Sequence, residues 1–445
     1  MTAREAALKA LMAYRQKNAW PDLTLGGFVE KYDITARDAA LAARILNGVM
    51  QNMMLCDHYI AHFSSISLGK IEPRVFDILR LSIYQLVFME KIPPGAAVNE
   101  GVMLARKNAN PRAAGFVNAV LRKAAQAIDS GTLPEVTGEL IQRLSIKYSH
   151  PDWLVRQLCE VLDDEAAEAF LAANNEPDLP LFAQVNTLLT DTDNALATLC
   201  MDGVEAARHG WLDGCIELRG ARNITRLKAF FNGLIYIQDN AARLAVMAAE
   251  PKPGDVIIDG CAAPGGKSFA SAIIMKDKGT IIACDIYIAK LNRIQEGSKR
   301  LGITIIDVME KDALTLTDEF IGKADVVLAD VPCSGFGAIR KKPDIRYKLE
   351  PDIAGLPDIQ KRILSVLSKY VKPGGTLLYS TCTVLRSENE GVIEWFLREN
   401  ENYRLEGFSL PGAGYVQSGM ITLWPHIHGT DGFFISKLRN CQAVN

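Results

Sequence analysis

"DVIIDGCAAPGGKS", residues 255–268, decides how the C-terminal half of this chain is read. Val256, Ile257 and Ile258 form an apolar run without polar alternation, the pattern of a strand buried on both faces. The run ends at Asp259 and passes into a loop of Gly, Ala and Pro. Lys267 and Ser268 then open a helix. Gly260, Gly265 and Gly266 let the backbone approach a ligand closely. The first turn of the next helix offers free N–H groups and a positive dipole end, which suit a nucleotide or the carboxylate of an amino acid. The glycines follow neither GxGxxG, since residue 262 is Ala, nor GxxxxGK[ST], whose first glycine would fall on Cys261, and the dinucleotide and P-loop readings lose ground.

Downstream, the same rhythm repeats. "TIIACD" (280–285), "ITIIDV" (303–308), "ADVVLAD" (324–330) and "GTLLYST" (375–381) are further continuous apolar strands. Between them lie helical stretches such as "AKLNRIQEGSKRLG" and "IAGLPDIQKRILSVLSKYV". Strands of this kind alternating with helices predict a parallel sheet covered on both faces, with ligands at the carboxyl ends of the strands. Asp285 closes the second strand, 26 residues after Asp259, where a carboxylate can accept both ribose hydroxyls. Asp312, in "EKDA" after the third strand, is placed to receive an adenine amino group. A glycine loop, a ribose acid and an adenine acid describe a cofactor with a nucleoside end and an amino-acid end. S-adenosyl-L-methionine is the expected one. Two cysteines also fall at strand ends, Cys333 in "ADVPCSGFG" and Cys382 in "YSTCTV".

Upstream, residues 1–135 read as an all-α bundle. Thr2-x-x-Glu5 and Thr35-x-x-Asp38 have the form of capping boxes. "PRVFDILRLSIYQLVFM" (73–89) repeats apolar residues at helical spacing, from Val75 through Leu86. "SGTLPEVTGE" (130–139) is the expected boundary. Residues 140–235 read as a small α+β unit, with helices followed by "LFAQVNTL", "CIELRG" and "GLIYIQD" as strands. Residues 236–445 form the α/β part.

The 445 residues are 49% apolar and 23% charged, the profile of an ordinary globular protein of several domains. Net charge is −3, but residues 1–135 carry 16 Lys/Arg against 12 Asp/Glu, a net +4 on an otherwise acidic chain. That asymmetry is a weak pointer to nucleic acid. Nine cysteines without a CxxC pair, and six scattered His, predict no metal site and a reducing compartment. The first 18 residues have charges inside their apolar pattern, which fits neither a signal peptide nor a membrane span. A cytoplasmic, monomeric protein without a membrane partner is expected.

"DGCAAPGGKS", "ADVPCSGFG", "RKKPDIRY", "YSTCTVLRSENE" and "TDGFFISKL" resemble, in order over residues 238–437, the motifs of the RNA cytosine-C5 methyltransferases of the Nol/Nop/Sun family. "AAVNEGVMLARKNANPRAAGFVNAVLRK" (96–123) is similar to the antitermination factor NusB. The resemblance implies a multidomain chain with a NusB-like RNA-binding bundle, a small α+β linker domain and a Rossmann-like class I methyltransferase domain. This is the layout of bacterial enzymes acting on 16S rRNA or an early small-subunit assembly intermediate. It implies that Cys261, Ala262, Ala263, Pro264, Gly265, Gly266, Lys267, Asp285, Asp312 and Asp330 hold S-adenosylmethionine.

Chemistry explains the thiols. Cytosine C5 is too weak a nucleophile to take a methyl group unaided, and a thiolate added at C6 raises electron density on C5. Spacing leaves open which sulfur attacks, and DNA cytosine methyltransferases attack from a PC motif. The family likeness makes Cys382 the nucleophile and Cys333 the residue assisting release, with Asp330 stabilising charge on the ring. Arg340, Lys341, Lys342 and Arg346 are expected on RNA phosphates, with Tyr347 stacking on a base. Competing readings are the same chemistry on tRNA, and a NusB-like RNA-binding factor with an idle catalytic fold. The intact motifs argue against the second.

Overall fold

A computed structural model describes residues 1–17, 19–177, 179–221 and 223–442. The chain divides into two compact units, one of Met1–Asn175 with Lys342–Lys348, the other of Glu176–Lys341 with Leu349–Asn445.

The first unit is all-helical. Its hub is the helix Pro73–Phe88, which buries Val75, Ile78, Leu79, Leu81, Ile83 and Leu86 as the spacing requires. Packed on it are Ala3–Lys17, Ala36–Gln51, Met53–Phe63, Pro94–Asn108 and Pro111–Asp129. Both expected capping boxes form. The Thr2 N–H donates to Glu5 and the Glu5 N–H to Thr2, while Thr35 Oγ1 accepts from the Asp38 N–H and donates to the Asp38 carboxylate. Asp77 is fully buried in this core and is tolerated because Arg15 and Arg80 pair with it at 3.0 and 3.3 Å. The helices Leu140–Tyr148, Asp152–Val161 and Asp164–Ala173, grouped by sequence with the middle region, cluster with this unit. Leu140–Tyr148 packs on Met53–Phe63, and Ser149 Oγ accepts the Met54 and Leu55 N–H groups.

The second unit holds two principal sheets. The smaller is antiparallel, with strands β1 (Leu181–Val185), β2 (Glu205–Arg208), β3 (Cys215–Arg219) and β4 (Ile235–Ile237) in the order β2-β3-β1-β4. β1, β3 and β4 match the expected strands. β2, "EAAR", was not expected, because an edge strand facing solvent needs no apolar alternation.

The larger sheet contains β5 (Val256–Asp259), β6 (Thr280–Asp285), β7 (Ile306–Glu310), β8 (Ala324–Asp330), β9 (Val371–Thr381) and β10 (Tyr403–Leu405). β11 (Phe408–Leu410) and β12 (Gly414–Val416) make a separate hairpin-like pair, and β13 (Met420–Leu423) and β14 (Phe433–Asn440) complete the large sheet. Its order is β10-β14-β9-β8-β5-β6-β7, with β13 on β14. β5 to β9 run parallel, and β14 runs antiparallel to β9. β7 starts three residues later than its apolar run suggested. The Asp277 carboxylate takes the Thr304 and Ile305 N–H groups and withholds them from the ladder.

Strand order reverses beside β5, whose neighbours are β6 and β8. At such a switch point the connections leave in opposite directions and open a crevice at the carboxyl ends. Asp259, Asp285, Asp330 and Thr381 are the last residues of β5, β6, β8 and β9. Among the described residues no helix is long and apolar enough to cross a membrane.

Candidate active site at the strand ends

The loop after β5 is fixed from several sides. The Gly260 N–H donates to Leu328 O, the Ala262 N–H to Cys284 O, and the Gly265 N–H to Ala262 O. Gly265 has φ of 102°, in the left-handed region, and a Cβ there would strike the Phe269 ring. Ala there would therefore be strained twice, by backbone and by contact. Asp259 is fully buried and accepts from Ser268 Oγ at 2.7 Å, joining the strand end to the first turn of the helix Gly266–Ile274. Burial pushes the Asp259 carboxyl up to about 6. Burial likewise pushes the Cys261 thiol up, which suits a packed thiol and not a nucleophile. Asp285 is buried, with Oδ1 accepting the Tyr287 N–H and Lys290 Nζ 3.8 Å away. Asp312 is exposed beyond β7, with Oδ1 accepting the Leu314 N–H.

β8 and β9 bring the remaining groups together. Lys267 Nζ donates to Asp330 Oδ2 at 2.6 Å, and Ser380 Oγ donates to Asp330 Oδ1 at 2.8 Å. The sulfurs of Cys333 and Cys382 are 3.2 Å apart. The Cys333 sulfur is hydrogen-bonded to that of Cys382. Its bond to Cys382, burial, and the negative charge of Cys382, Glu388 and Asp330 hold its thiol well above the ordinary range. That same hydrogen bond lowers Cys382. Burial and Asp330 work against the lowering, and the Lys267 ammonium adds to it. Of the two sulfurs, Cys382 is the one that ionises more readily. A cation, a carboxylate and a low thiol thus share one crevice end with a glycine loop.

A family profile described as "16S rRNA methyltransferase RsmB/F" matches residues 246–439, and one described as "NusB family" matches residues 1–126. A third, "Methyltr_RsmF/B-like, ferredoxin-like domain", matches residues 150–225. The chain is 35% identical over 450 residues to a Bacillus subtilis protein called "Probable ribosomal RNA small subunit methyltransferase B", covering 98% of both. The chain belongs to the RsmB/F family of 16S rRNA methyltransferases. A Vibrio cholerae protein called "Ribosomal RNA small subunit methyltransferase B" is 32% identical, with 98% of this chain and 97% of that one covered. A solved structure titled "Crystal Structure of PH0851" superposes with a TM-score of 0.79 and 28% identity, covering 98% of each chain.

In this RsmB/F-family chain, the basic run after the PC loop does not lie where phosphate contacts would need it. Arg340 is buried, with Nε donating to Asp431 Oδ1 at 2.8 Å and Nη2 to Gly429 O at 3.2 Å. Lys341 donates to Asp431 Oδ2 at 2.9 Å and also pairs with Asp239. Arg346 is fully buried inside the helical unit. Its Nη1 donates to Gln51 O, Tyr148 O and Asn175 Oδ1 at 2.8, 3.1 and 2.8 Å, and its Nη2 to Asn174 O at 3.3 Å. Tyr347 donates its hydroxyl to Met50 O at 2.8 Å. Of the four cations expected on RNA, Lys342 alone is exposed. A count of charges on a sequence cannot tell a solvated run from one whose partners, here Asp239, Asp431 and helix-end carbonyls, arrive from distant segments.

Sequence reasoning also passed over the polar groups that hold the two cysteine loops. Gln360, fully buried, donates Nε2 to Pro332 O at 3.0 Å and to Glu388 Oε2 at 2.8 Å. Asn389 donates to Thr383 O at 3.0 Å and accepts from Thr381 Oγ1 at 2.6 Å. Gly337 meets Gly432 backbone to backbone, its O accepting the Gly432 N–H at 2.9 Å while its N–H donates to Cys382 O at 2.9 Å. A Cβ on either glycine would overlap the other's backbone. The available signal was that "SENE" closely follows the TC motif, whereas Gln360 and Gly432 stand far from both cysteine motifs along the chain.

Proposed function

We propose that the protein methylates C5 of a cytosine in 16S rRNA, with S-adenosylmethionine as donor and a transient bond between Cys382 and C6 of the base. The observation that carries this reading is the pair of sulfurs 3.2 Å apart beside the Lys267–Asp330 pair, at the ends of neighbouring parallel strands.

The residues fit the cofactor by their chemistry. The loop Cys261–Lys267 supplies close-approach backbone and the N–H groups of a helix start, suited to an amino-acid carboxylate. Asp285 suits ribose hydroxyls, Asp312 an adenine amine, and Asp330, at the end of β8 beside Lys267, suits contact with cofactor and base alike. When bound, S-adenosylmethionine supplies an electrophilic methyl group.

In this reading the target base leaves its stack to reach the crevice. Cys382, lowered by Cys333 and Lys267, adds to C6 as thiolate and sends electrons toward C5. Asp330 faces N3 and the exocyclic amine and holds the ring in place by accepting from that amine, while the neighbouring Lys267 ammonium offsets the negative charge. C5 then takes the methyl group. Once Cys382 is bonded to carbon, it no longer sets a negative charge against Cys333, which can release its proton to water. Cys333 takes the C5 proton, the C5–H electrons restore the C5–C6 double bond, and the C6–S bond breaks to return the Cys382 thiolate. The target RNA class follows from the family, and the substrate form proposed here is 16S rRNA or an early small-subunit assembly intermediate.

The test is the pair of variants Cys333→Ala and Cys382→Ala with RNA and cofactor. Cys333→Ala should trap a protein–RNA adduct that survives a denaturing gel, and Cys382→Ala should form none and transfer no methyl. An active Cys382→Ala together with an adduct-free Cys333→Ala would reverse the roles.

A further inference from the structure

Two adjacent residues after the TC loop each hold a different cysteine segment. Asn389 fastens the residues flanking Cys382 through Thr381 Oγ1 and Thr383 O. Glu388 fastens the residues flanking Cys333. Its Oε2 accepts the Ser334 N–H at 2.9 Å, and it also accepts Gln360 Nε2, the group that donates to Pro332 O. Glu388 is 1% exposed, and its main-chain O accepts the Tyr379 hydroxyl at 2.6 Å. The two segments are further tied by Ser334 Oγ and Thr383 Oγ1 at 2.8 Å.

We propose that Glu388, working with Gln360, is a positioning residue for the release half of the reaction: it holds the main chain on both sides of Cys333 so that this sulfur stays against Cys382 while the C5 proton is removed. Glu388 touches neither base nor cofactor in this scheme and acts through Cys333. Cys382 depends less on it, because Asn389, Gly337 and β9 itself fix that sulfur. The inference rests on the proposed assignment of roles to the two cysteines.

The geometry separates two readouts. Truncating Glu388 should leave addition and methyl transfer largely intact and slow elimination. A displacement of the Cys333 sulfur by an ångström is worth about 10²-fold in its step. Full-length Glu388→Ala with 16S rRNA should methylate in a single turnover within about 3-fold of the wild type, lose about 10²-fold in multiple turnover, and accumulate a denaturation-resistant adduct. Glu388→Gln, which keeps an oxygen for the Ser334 N–H, should restore most of the turnover and remove the adduct. Gln360→Met, which keeps the volume but has no donor for Pro332 O, should accumulate adduct as Glu388→Ala does, and serves if Glu388→Ala does not fold. Equal loss of first-turnover and steady-state rates without adduct in the folded variants would overturn the inference. Adduct in Cys333→Ala but in neither Glu388→Ala nor Gln360→Met would overturn it alone. No adduct in Cys333→Ala would instead overturn the role assignment beneath it.

Discussion

Replacing Arg346 by Ala separates two incompatible accounts of the basic run. On sequence, Arg346 is an RNA contact. In the structure its guanidinium donates to three oxygens within 3.1 Å, Gln51 O, Tyr148 O and Asn175 Oδ1, and reaches Asn174 O at 3.3 Å. Burial pushes the group down to about 10, so it remains charged at neutral pH without an acidic partner in that list. Each bond from a charged donor is worth about 1.5–3 kcal/mol net, while relief of the buried charge returns part of the sum on truncation. The acceptors left behind are carbonyl oxygens of one buried residue, Asn174, and three half-buried ones, of which Tyr148 O keeps the Asn175 amide as donor; a buried one costs about 1–3 kcal/mol if unsatisfied. The net loss is about 3–5 kcal/mol, or about 10 °C in the melting of a helical unit of this size. Calorimetry and urea unfolding of the full chain, followed by the helical signal, measure it. Arg346→Lys should recover little, since a single ammonium cannot span the same oxygens. Unchanged melting, with weaker rRNA binding and a salt dependence reduced by about one phosphate contact, would refute the structural account and restore the RNA role.

Two further outcomes follow from the site. Asp259, held at about 6 against an ordinary 3.8, is protonated in the folded chain over a range where the unfolded chain is ionised. Stability therefore falls as pH rises from about 4 to about 6, by at most about 3 kcal/mol, and Asp259→Asn should abolish that slope in denaturant titrations at stepped pH. A variant with the slope intact would show that Asp259 is not the group responsible. Lys267→Met removes the cation that helps lower Cys382, so alkylation of Cys382 by iodoacetamide at neutral pH should slow and its pH midpoint should rise. An unmoved midpoint would leave the Cys333 hydrogen bond as the sole cause.

Much of the catalytic part was legible because its signals are local. An apolar run without alternation is a buried parallel strand, and β6 and β8 begin and end on the residues that pattern names. The hub helix Pro73–Phe88 was equally plain, since its spacing encodes a face. What could not be read depends on partners far along the chain. Asp277 trims the start of β7 from 27 residues away, and Arg340 meets Asp431 across 91 residues. The polar frame around the cysteines is of this kind: Gln360, Glu388 and Asn389 look like surface residues of a loop and a helix, and are buried. The sulfurs themselves were legible as a pair of strand ends. Their difference in ionisation was not, because it depends on a distance and on which neighbours are charged.

The seven residues Lys342–Lys348 belong to the helical unit, although the chain on either side of them belongs to the other. The halves are therefore interleaved rather than concatenated. A protease nick or a gene break after Asn175 would leave the downstream piece carrying a tongue whose Arg346 and Tyr347 have their acceptors on the upstream piece. Exchange of either half between relatives by recombination would have to preserve the main-chain path around that tongue, because its acceptors are main-chain oxygens except Asn175 Oδ1, which ties the inheritance of the two halves together.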